Sequence, residues 1–246
     1  MKVLVLGASG ATGRLLVDAL LRAGVQVKGM VRPGSTYPLK SDDREGFSRI
    51  ESSIAQMSAR ELAPMIANCD VVLSCLGHNL SFRGIFGHPR RLVTDAIRTV
   101  CQAIEINRTG RAVKVILMNT TGNANRDIPE KPPWSQRVAV GLIRTLLPPH
   151  ADNEAATDCL RTQIGQAHAR IEWAAVRPDG LIDEAVVSPY ALLPSPTRNV
   201  IFDAGKTSRI NVADFMARLV TEDALWQRWK GQMPVIYNAE YSEPVD

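Results

Sequence analysis

The hydrophobic residues of this chain form short apolar runs that alternate with stretches of helical periodicity. The runs predict six strands, over residues 2–6, 25–31, 47–50, 70–75, 113–119 and 172–176. The periodic stretches predict helices over residues 11–23, 58–67, 89–107 and 152–167. Several strands are apolar without alternation, which is typical of strands covered by helices on both faces. The order strand, helix, strand therefore predicts an α/β fold built on a doubly wound parallel sheet.

Two proline-containing segments interrupt this alternation. Residues 123–150 contain five prolines, and residues 178–210 contain four more. Each segment follows a predicted strand, so each leaves the carboxyl edge of the sheet, where open α/β folds bind ligands. We expect the two segments to form a small substrate lobe, largely C-terminal, on a chain that is otherwise one domain over residues 1–246.

The ends of two helices carry recognisable signals. Gly24 follows the first helix at a position where glycine commonly ends helices. Asn211 is predicted to cap a later helix that runs to Leu219, with Asp214 in the capping-box position three residues on.

The composition excludes several classes of partner. Of the 246 residues, 45% are hydrophobic and 22% charged, and the formal charge of +4 is not concentrated in a basic run. Such a chain suits small phosphate-bearing molecules and not nucleic acid. No apolar stretch reaches the roughly 18 residues of a membrane helix. The four cysteines, Cys69, Cys75, Cys101 and Cys159, lack CxxC spacing, so we expect free thiols in a cytoplasmic protein.

A glycine-rich turn joins the first strand to the first helix. It comprises Gly7, Ala8, Ser9, Gly10, Ala11, Thr12 and Gly13. In this context Gly7 permits the tight turn, Gly10 lets the backbone approach a pyrophosphate, and Gly13 lets helix and strand pack closely. The helix N-terminus adds free N–H groups and a positive dipole end. The turn predicts a Rossmann-type fold that binds a nicotinamide dinucleotide.

The residue after the second strand bears on cofactor choice. NAD-preferring folds place an acidic residue near this point, where it binds the ribose 2′-hydroxyl. This chain has Arg32 there, and a guanidinium can pair with a 2′-phosphate. We expect NADP, or alternatively NAD if Arg32 is only a solvated surface residue. Arg14, just past Gly13, is open to the same two interpretations.

The sequence resembles the atypical and extended short-chain dehydrogenase/reductases, and within them the NAD(P)H-binding group that includes biliverdin reductase B-like and NmrA-like proteins. The resemblance lies in the glycine turn and four later segments, residues 74–77, 119–122, 176–180 and 208–214. It implies a Rossmann-type domain and further residues near the cofactor, namely Cys75, Leu76, Gly77, Asn119, Thr120 and Pro178. For Cys75 the alternative is a buried inert thiol.

The larger superfamily uses a tyrosine and a lysine four residues later as its acid/base pair. None of the four tyrosines here has lysine at that spacing, and Asn153 falls near the expected lysine. His150 could donate a proton instead, or be structural. Thr120 and Thr121 could bind a substrate carbonyl, or only cap a strand end. The catalytic residues thus stay open.

Hydride transfer needs few protein acids when the acceptor takes its proton from solvent. We therefore expect an NADP(H)-dependent oxidoreductase that reduces a small conjugated or carbonyl acceptor, such as a flavin or quinone. Two alternatives remain at this point. One is a non-catalytic regulatory protein that senses NAD(P)H, and the other is an NAD-dependent epimerase or dehydratase.

Overall fold

The computed structural model describes residues 1–35, 44–78, 89–108, 110–130, 148–199 and 203–242. The strands are β1 Lys2–Leu6, β2 Gln26–Val31, β3 Phe47–Glu51, β4 Val71–Ser74, β5 Val113–Met118, β6 Ile171–Pro178, β7 Gly180–Ile182, β8 Tyr190–Leu193, β9 Lys206–Ser208 and β10 Val235–Asn238. The helices are α1 Ala11–Arg22, α2 Ala59–Ile66, α3 Leu92–Asn107, α4 Pro148–Asp158, α5 Arg209–Thr221 and α6 Asp223–Trp229.

The main sheet has eight strands in the order β3-β2-β1-β4-β5-β6-β10-β8. Neighbouring strands are parallel except for the pair β10 and β8, which is antiparallel. The chain proceeds outward from β1 to β3 on one side and then returns to place β4 on the other side of β1. This reversal is the topological switch point at which Rossmann-type folds bind dinucleotides, and it confirms the predicted fold class.

Helices cover both faces of the sheet, as the unbroken apolar runs predict. On β1, Val3 and Val5 belong to the core cluster that contains residues of α1, α5 and α6. Leu4 and Leu6 belong to the opposite cluster, which contains residues of α2, α3 and α4. Because side chains of a strand alternate between faces, a strand buried on both sides must be apolar at every position.

The six predicted strands and four predicted helices are all present, with bounds shifted by a few residues. The fourth helix begins earlier than predicted, at Pro148, and passes into a π-helical turn over Cys159–Ile164. It ends at Gly165, which has φ +70°. Strands β7 to β10 and helix α6 are additional. Strands β7 and β9 pair as a separate two-stranded sheet.

The predicted cap of the later helix is wrong. Helix α5 begins at Arg209, and its N-cap is Ser208, whose hydroxyl accepts a hydrogen bond from the Asn211 amide at 3.2 Å. Asn211 lies within the first turn, where its side chain accepts from the Ser188 amide and donates to the Asn238 side chain. Asp214 accepts a hydrogen bond from the Tyr190 hydroxyl at 2.6 Å. Tertiary hydrogen bonds, invisible in the local pattern, use both polar residues.

The four cysteines are free thiols, as expected. Over the described ranges, no group of three or more histidine, cysteine or acidic side chains is arranged to hold a metal ion. In the same part of the chain, no helix combines the length and the apolar character that crossing a membrane requires.

Candidate functional site

The glycine turn between β1 and α1 is shaped by contacts that exclude side chains. Gly7 has φ +74°, a conformation that other residues rarely adopt. A Cβ atom on Gly13 would collide with the carbonyl oxygen of Gly7. The third glycine therefore lets α1 pack directly against the end of β1, as predicted.

Gly10 is exposed and less crowded than its two companions. A Cβ atom there would meet only the Gly7 carbonyl oxygen, at 3.2 Å, and the residue is exposed. Gly10 is also the N-cap of α1, and the first turn of that helix contains no acidic residue. The positive end of the helix thus opens onto the carboxyl edge of the sheet, and its own first turn adds no negative charge. This is the environment that a pyrophosphate requires.

The residues between these glycines divide into buried and accessible positions. Ala8 is fully buried, and its amide donates to the Met30 carbonyl of β2 at 3.2 Å. Thr12 is buried in the first turn of α1. Ser9 is half-buried and Ala11 exposed, so these two can contact a ligand at the turn.

Arg32 lies directly after β2 and is exposed. Over the described ranges 1–35 and 44–78, its guanidinium forms no ion pair. The short turn that follows it is held by two hydrogen bonds. The Ser35 amide donates to the Arg32 carbonyl at 3.1 Å, and Arg49 of β3 donates to the Ser35 carbonyl at 2.9 Å. Arg32 therefore stands at a fixed point of the carboxyl edge, with its charge available to a ligand.

The loop after β4 touches the glycine turn. A Cβ atom on Gly7 would lie 3.0 Å from the carbonyl oxygen of Cys75. Gly77 is exposed with open space around it, and Leu76 packs partly against the core. The thiol of Cys75 packs in the opposite core cluster, and burial raises its pKa to about 12. Cys75 thus contributes its backbone to this edge and not a reactive thiolate.

Asn119 ties the end of β5 to helix α4. Its side-chain amide donates to the Asn153 carbonyl at 2.9 Å and to the Thr157 hydroxyl at 2.6 Å. Its side-chain oxygen accepts from the Thr120 amide at 2.8 Å. The side chain is buried, so Asn119 orders the backbone of the site. Pro178 plays a similar part, because it is buried and its carbonyl accepts from the Thr121 amide at 3.1 Å.

Thr120 and His150 both lie beside Gly122, near the end of β5. A Cβ atom on Gly122 would lie 3.1 Å from Cε1 of His150 and 3.8 Å from the hydroxyl oxygen of Thr120. Both residues are half-buried. The Thr120 hydroxyl also accepts from the Gly122 amide at 3.3 Å. The structure therefore brings together the two polar residues that sequence reasoning named separately. Thr121 points elsewhere, donating to Asp179 at 3.0 Å.

A buried arginine fixes the described parts of both proline-containing segments. Arg177 of β6 is fully buried, and all five of its N–H groups are engaged. They reach Glu130 twice and the carbonyl oxygens of Asn123, Pro194 and Met233. Residues 131–147, including Trp134, lie outside the described residues, as do Tyr37 and His88.

Sequence reasoning missed a second histidine at this edge. His78 directly follows Gly77, and its Nε2 lies 2.8 Å from the Asp152 carboxylate of α4. The two residues are 74 positions apart, so no local spacing reveals the pair. Only the tertiary fold, which brings the start of α4 close to the loop after β4, could indicate this pair.

The sequence matches a known protein family over most of its length. Residues 7–223 match the model of a family described as NAD(P)H-binding. The chain belongs to this NAD(P)H-binding family. The match begins at Gly7 and covers all of the candidate site described above. None of the curated proteins matches the sequence.

Solved structures share the fold of this family member over almost their whole length. One is a short-chain dehydrogenase/reductase from Veillonella parvula in complex with NADP, with 15% identity, a TM-score of 0.70 and coverage of 100% of this chain and 99% of that chain. Another is an anaerobillin reductase from Escherichia coli O157:H7, with 17% identity, a TM-score of 0.66 and 98% of each chain covered. A third is a candidate NADH-flavin reductase from Streptococcus pneumoniae, with 16% identity, a TM-score of 0.65 and coverage of 97% and 99%. At such identities the likeness establishes the fold, and function must be argued from the site.

Proposed function

We propose that this protein is an NADP(H)-dependent oxidoreductase that transfers a hydride to a small conjugated or carbonyl acceptor. The observation that carries the proposal is that Thr120 and His150 both lie beside Gly122. They lie at the carboxyl edge, at the end of the strand two places from the glycine turn. A hydroxyl and an imidazole at this place can hydrogen-bond to the oxygen of an acceptor and donate a proton to it.

The residues of the edge fit the cofactor. Gly10 and the open N-terminus of α1 would hold the pyrophosphate, and the exposed guanidinium of Arg32 would hold a 2′-phosphate. The loop Cys75–Gly77 and the turn after β5 would border the nicotinamide half. When bound, the nicotinamide supplies the hydride.

Neither Tyr190 nor Tyr237 offers an alternative acid at this site, and the ring of Tyr241 packs against Arg198 and Lys206. The Tyr190 hydroxyl is bound to Asp214 and Arg218 at the β8 edge. Tyr237 lies in β10, and burial raises its pKa to about 12. Among the residues that the structure describes, Thr120 and His150 are the polar side chains beside Gly122 that could serve an acceptor. An anaerobillin reductase and a candidate flavin reductase of the same fold support a conjugated acceptor.

The experiment is a screen of NADPH oxidation against flavins, quinones and aldehydes, with the wild-type protein, His150→Ala and Thr120→Val. A conjugated acceptor can take its proton from solvent, so each substitution should lower turnover by less than about tenfold. General acid catalysis is worth about 10²–10⁴-fold. A loss of that size with an aldehyde would identify a specific acid and move the substrate toward simple carbonyls. Tight NADPH binding without oxidation by any acceptor would contradict the proposal and favour a sensor.

A further inference from the structure

Asp152 is a fully buried carboxylate that collects three donors from different parts of the chain. One oxygen accepts from the Val93 amide at 2.8 Å and lies 2.8 Å from Nε2 of His78. The other accepts from the Thr94 amide at 2.9 Å. The side chain is 0% exposed and that of His78 4%. A buried carboxylate is costly unless its oxygens are satisfied, as they are here.

These contacts determine which atom carries the proton between the two side chains. Both carboxylate oxygens already accept backbone N–H groups at the start of α3. The Nε2 atom of His78 therefore donates to Asp152. This hydrogen bond fixes the orientation of the imidazole, as a carboxylate does for a histidine in many catalytic and metal sites.

The pair also fixes the loop that precedes it. His78 comes directly after Gly77, so its hydrogen bond anchors the C-terminal end of the loop Cys75–Gly77 to α4. The N-terminal end of the same loop lies against the glycine turn, where the Cys75 carbonyl closely approaches Gly7. The loop is thus held at both ends, by the turn that begins α1 and by the helix that carries His150.

We propose that His78 and Asp152 form a positioning pair for the nicotinamide half of the cofactor site. The proposal rests on the proposed function. Dinucleotides lie across the switch point, with one half on each side. Arg32 marks the side of β2 for the adenosine half, and the loop after β4 lies on the other side. The pair should therefore contribute to binding of the whole dinucleotide and not to binding of its adenosine part alone.

Titrations of NADPH and of 2′,5′-ADP test this assignment. A leucine in place of His78 has no hydrogen-bond donor. The side-chain amide of an asparagine there can still donate to the Asp152 carboxylate. In His78→Leu we expect NADPH affinity to fall about tenfold and 2′,5′-ADP affinity to stay unchanged, while His78→Asn retains NADPH affinity within about threefold. The matched control is His168→Leu, which removes the histidine of another carboxylate pair, with Glu105 at 3.5 Å. It should leave both affinities unchanged.

Two results would overturn the proposal. One is unchanged NADPH affinity in His78→Leu, and the other is an equal loss for NADPH and 2′,5′-ADP. Wild-type protein gives an independent measurement that needs no variant to fold. Binding of NADPH, but not of 2′,5′-ADP, should slow hydrogen exchange at the Val93 and Thr94 amides. If NADPH and 2′,5′-ADP have the same effect on hydrogen exchange at these two amides, His78 and Asp152 do not position the nicotinamide half. Neither measurement uses turnover, so NADPH binding without oxidation would refute the oxidoreductase proposal alone.

Discussion

At the residue scale, the three glycines of the turn are required for different reasons. Gly13 lacks room for a side chain because the Gly7 carbonyl occupies that place, so this position serves the fold. Gly10 has extended backbone, and a Cβ atom there would lie 3.2 Å from the Gly7 carbonyl oxygen, so a side chain requires a shift of a few tenths of an ångström in the turn, far less than at Gly13. What Gly10 keeps free is the space of a ligand.

Arg32 allows a test of cofactor choice. In Arg32→Ala we expect NADPH affinity to fall about ten- to hundredfold and NADH affinity to change little, because only NADPH carries the 2′-phosphate. Isothermal titration with both cofactors measures the difference. Arg22→Ala is the control, since Arg22 is exposed at the far end of α1. An equal loss for NADPH and NADH would show that Arg32 only holds the loop.

Sequence reasoning could assign the glycines but not the His78–Asp152 pair. The glycine turn is local, and its spacing reports the required geometry directly. His78 and Asp152 become neighbours only because β4 ends and α4 begins at the same edge of the sheet. Asn119 shows the same limit. Its position after β5 was predictable, but its buried hydrogen bonds to α4 depend on the packing of that helix.

At the element scale, strand β6 holds several neighbouring loops in place through hydrogen bonds of Arg177. Through Arg177 this strand binds the loop at residues 123–130, the end of β8 and the segment before β10. Such a fully hydrogen-bonded guanidinium leaves its partners unpaired when it is removed.

We predict that Arg177→Met lowers the free energy of unfolding by about 3–5 kcal/mol, because it leaves the carboxylate of Glu130 buried without its partner. Urea unfolding measures the change. Arg209→Met removes an ion pair with the exposed Asp183 and should cost less than about 1 kcal/mol. The double variant Arg177→Met, Glu130→Leu should recover part of the loss. A loss for Arg177→Met no larger than for Arg209→Met would contradict the role of this residue.

The strands that sequence reasoning missed are short, and even β10, which is buried at every position, has only four residues. Strand β8 is half-buried at every position, and β7 and β9 have three residues each. Such segments lack the apolar runs that reveal β1 or β4. The cap of α5 was misassigned for a related reason. Ser208 and Asn211 are both good capping residues, and only the tertiary hydrogen bonds of Asn211 decide between them.

At the scale of the whole molecule, the order of the strands creates the site. The order in which strands are added reverses at β1, and the glycine turn, the loop after β4 and the turn after β5 follow three adjacent parallel strands. Arg32 extends this row on the side of β2. One edge therefore presents a helix N-terminus, the exposed guanidinium of Arg32 and the side chains of Thr120 and His150, and the proposed function uses them in this order.

The most direct test of this account is an NADPH titration of the wild-type protein, Gly10→Val and Gly110→Val, with circular dichroism to verify folding. Gly110 has open surroundings and precedes β5 at the opposite edge of the sheet, so it is a matched control. We predict that Gly10→Val folds but binds NADPH at least about a hundredfold more weakly, because its side chain occupies the pyrophosphate space. Gly110→Val should bind as the wild type does. Unchanged NADPH affinity in a folded Gly10→Val protein would contradict the central claim that the glycine turn holds the cofactor.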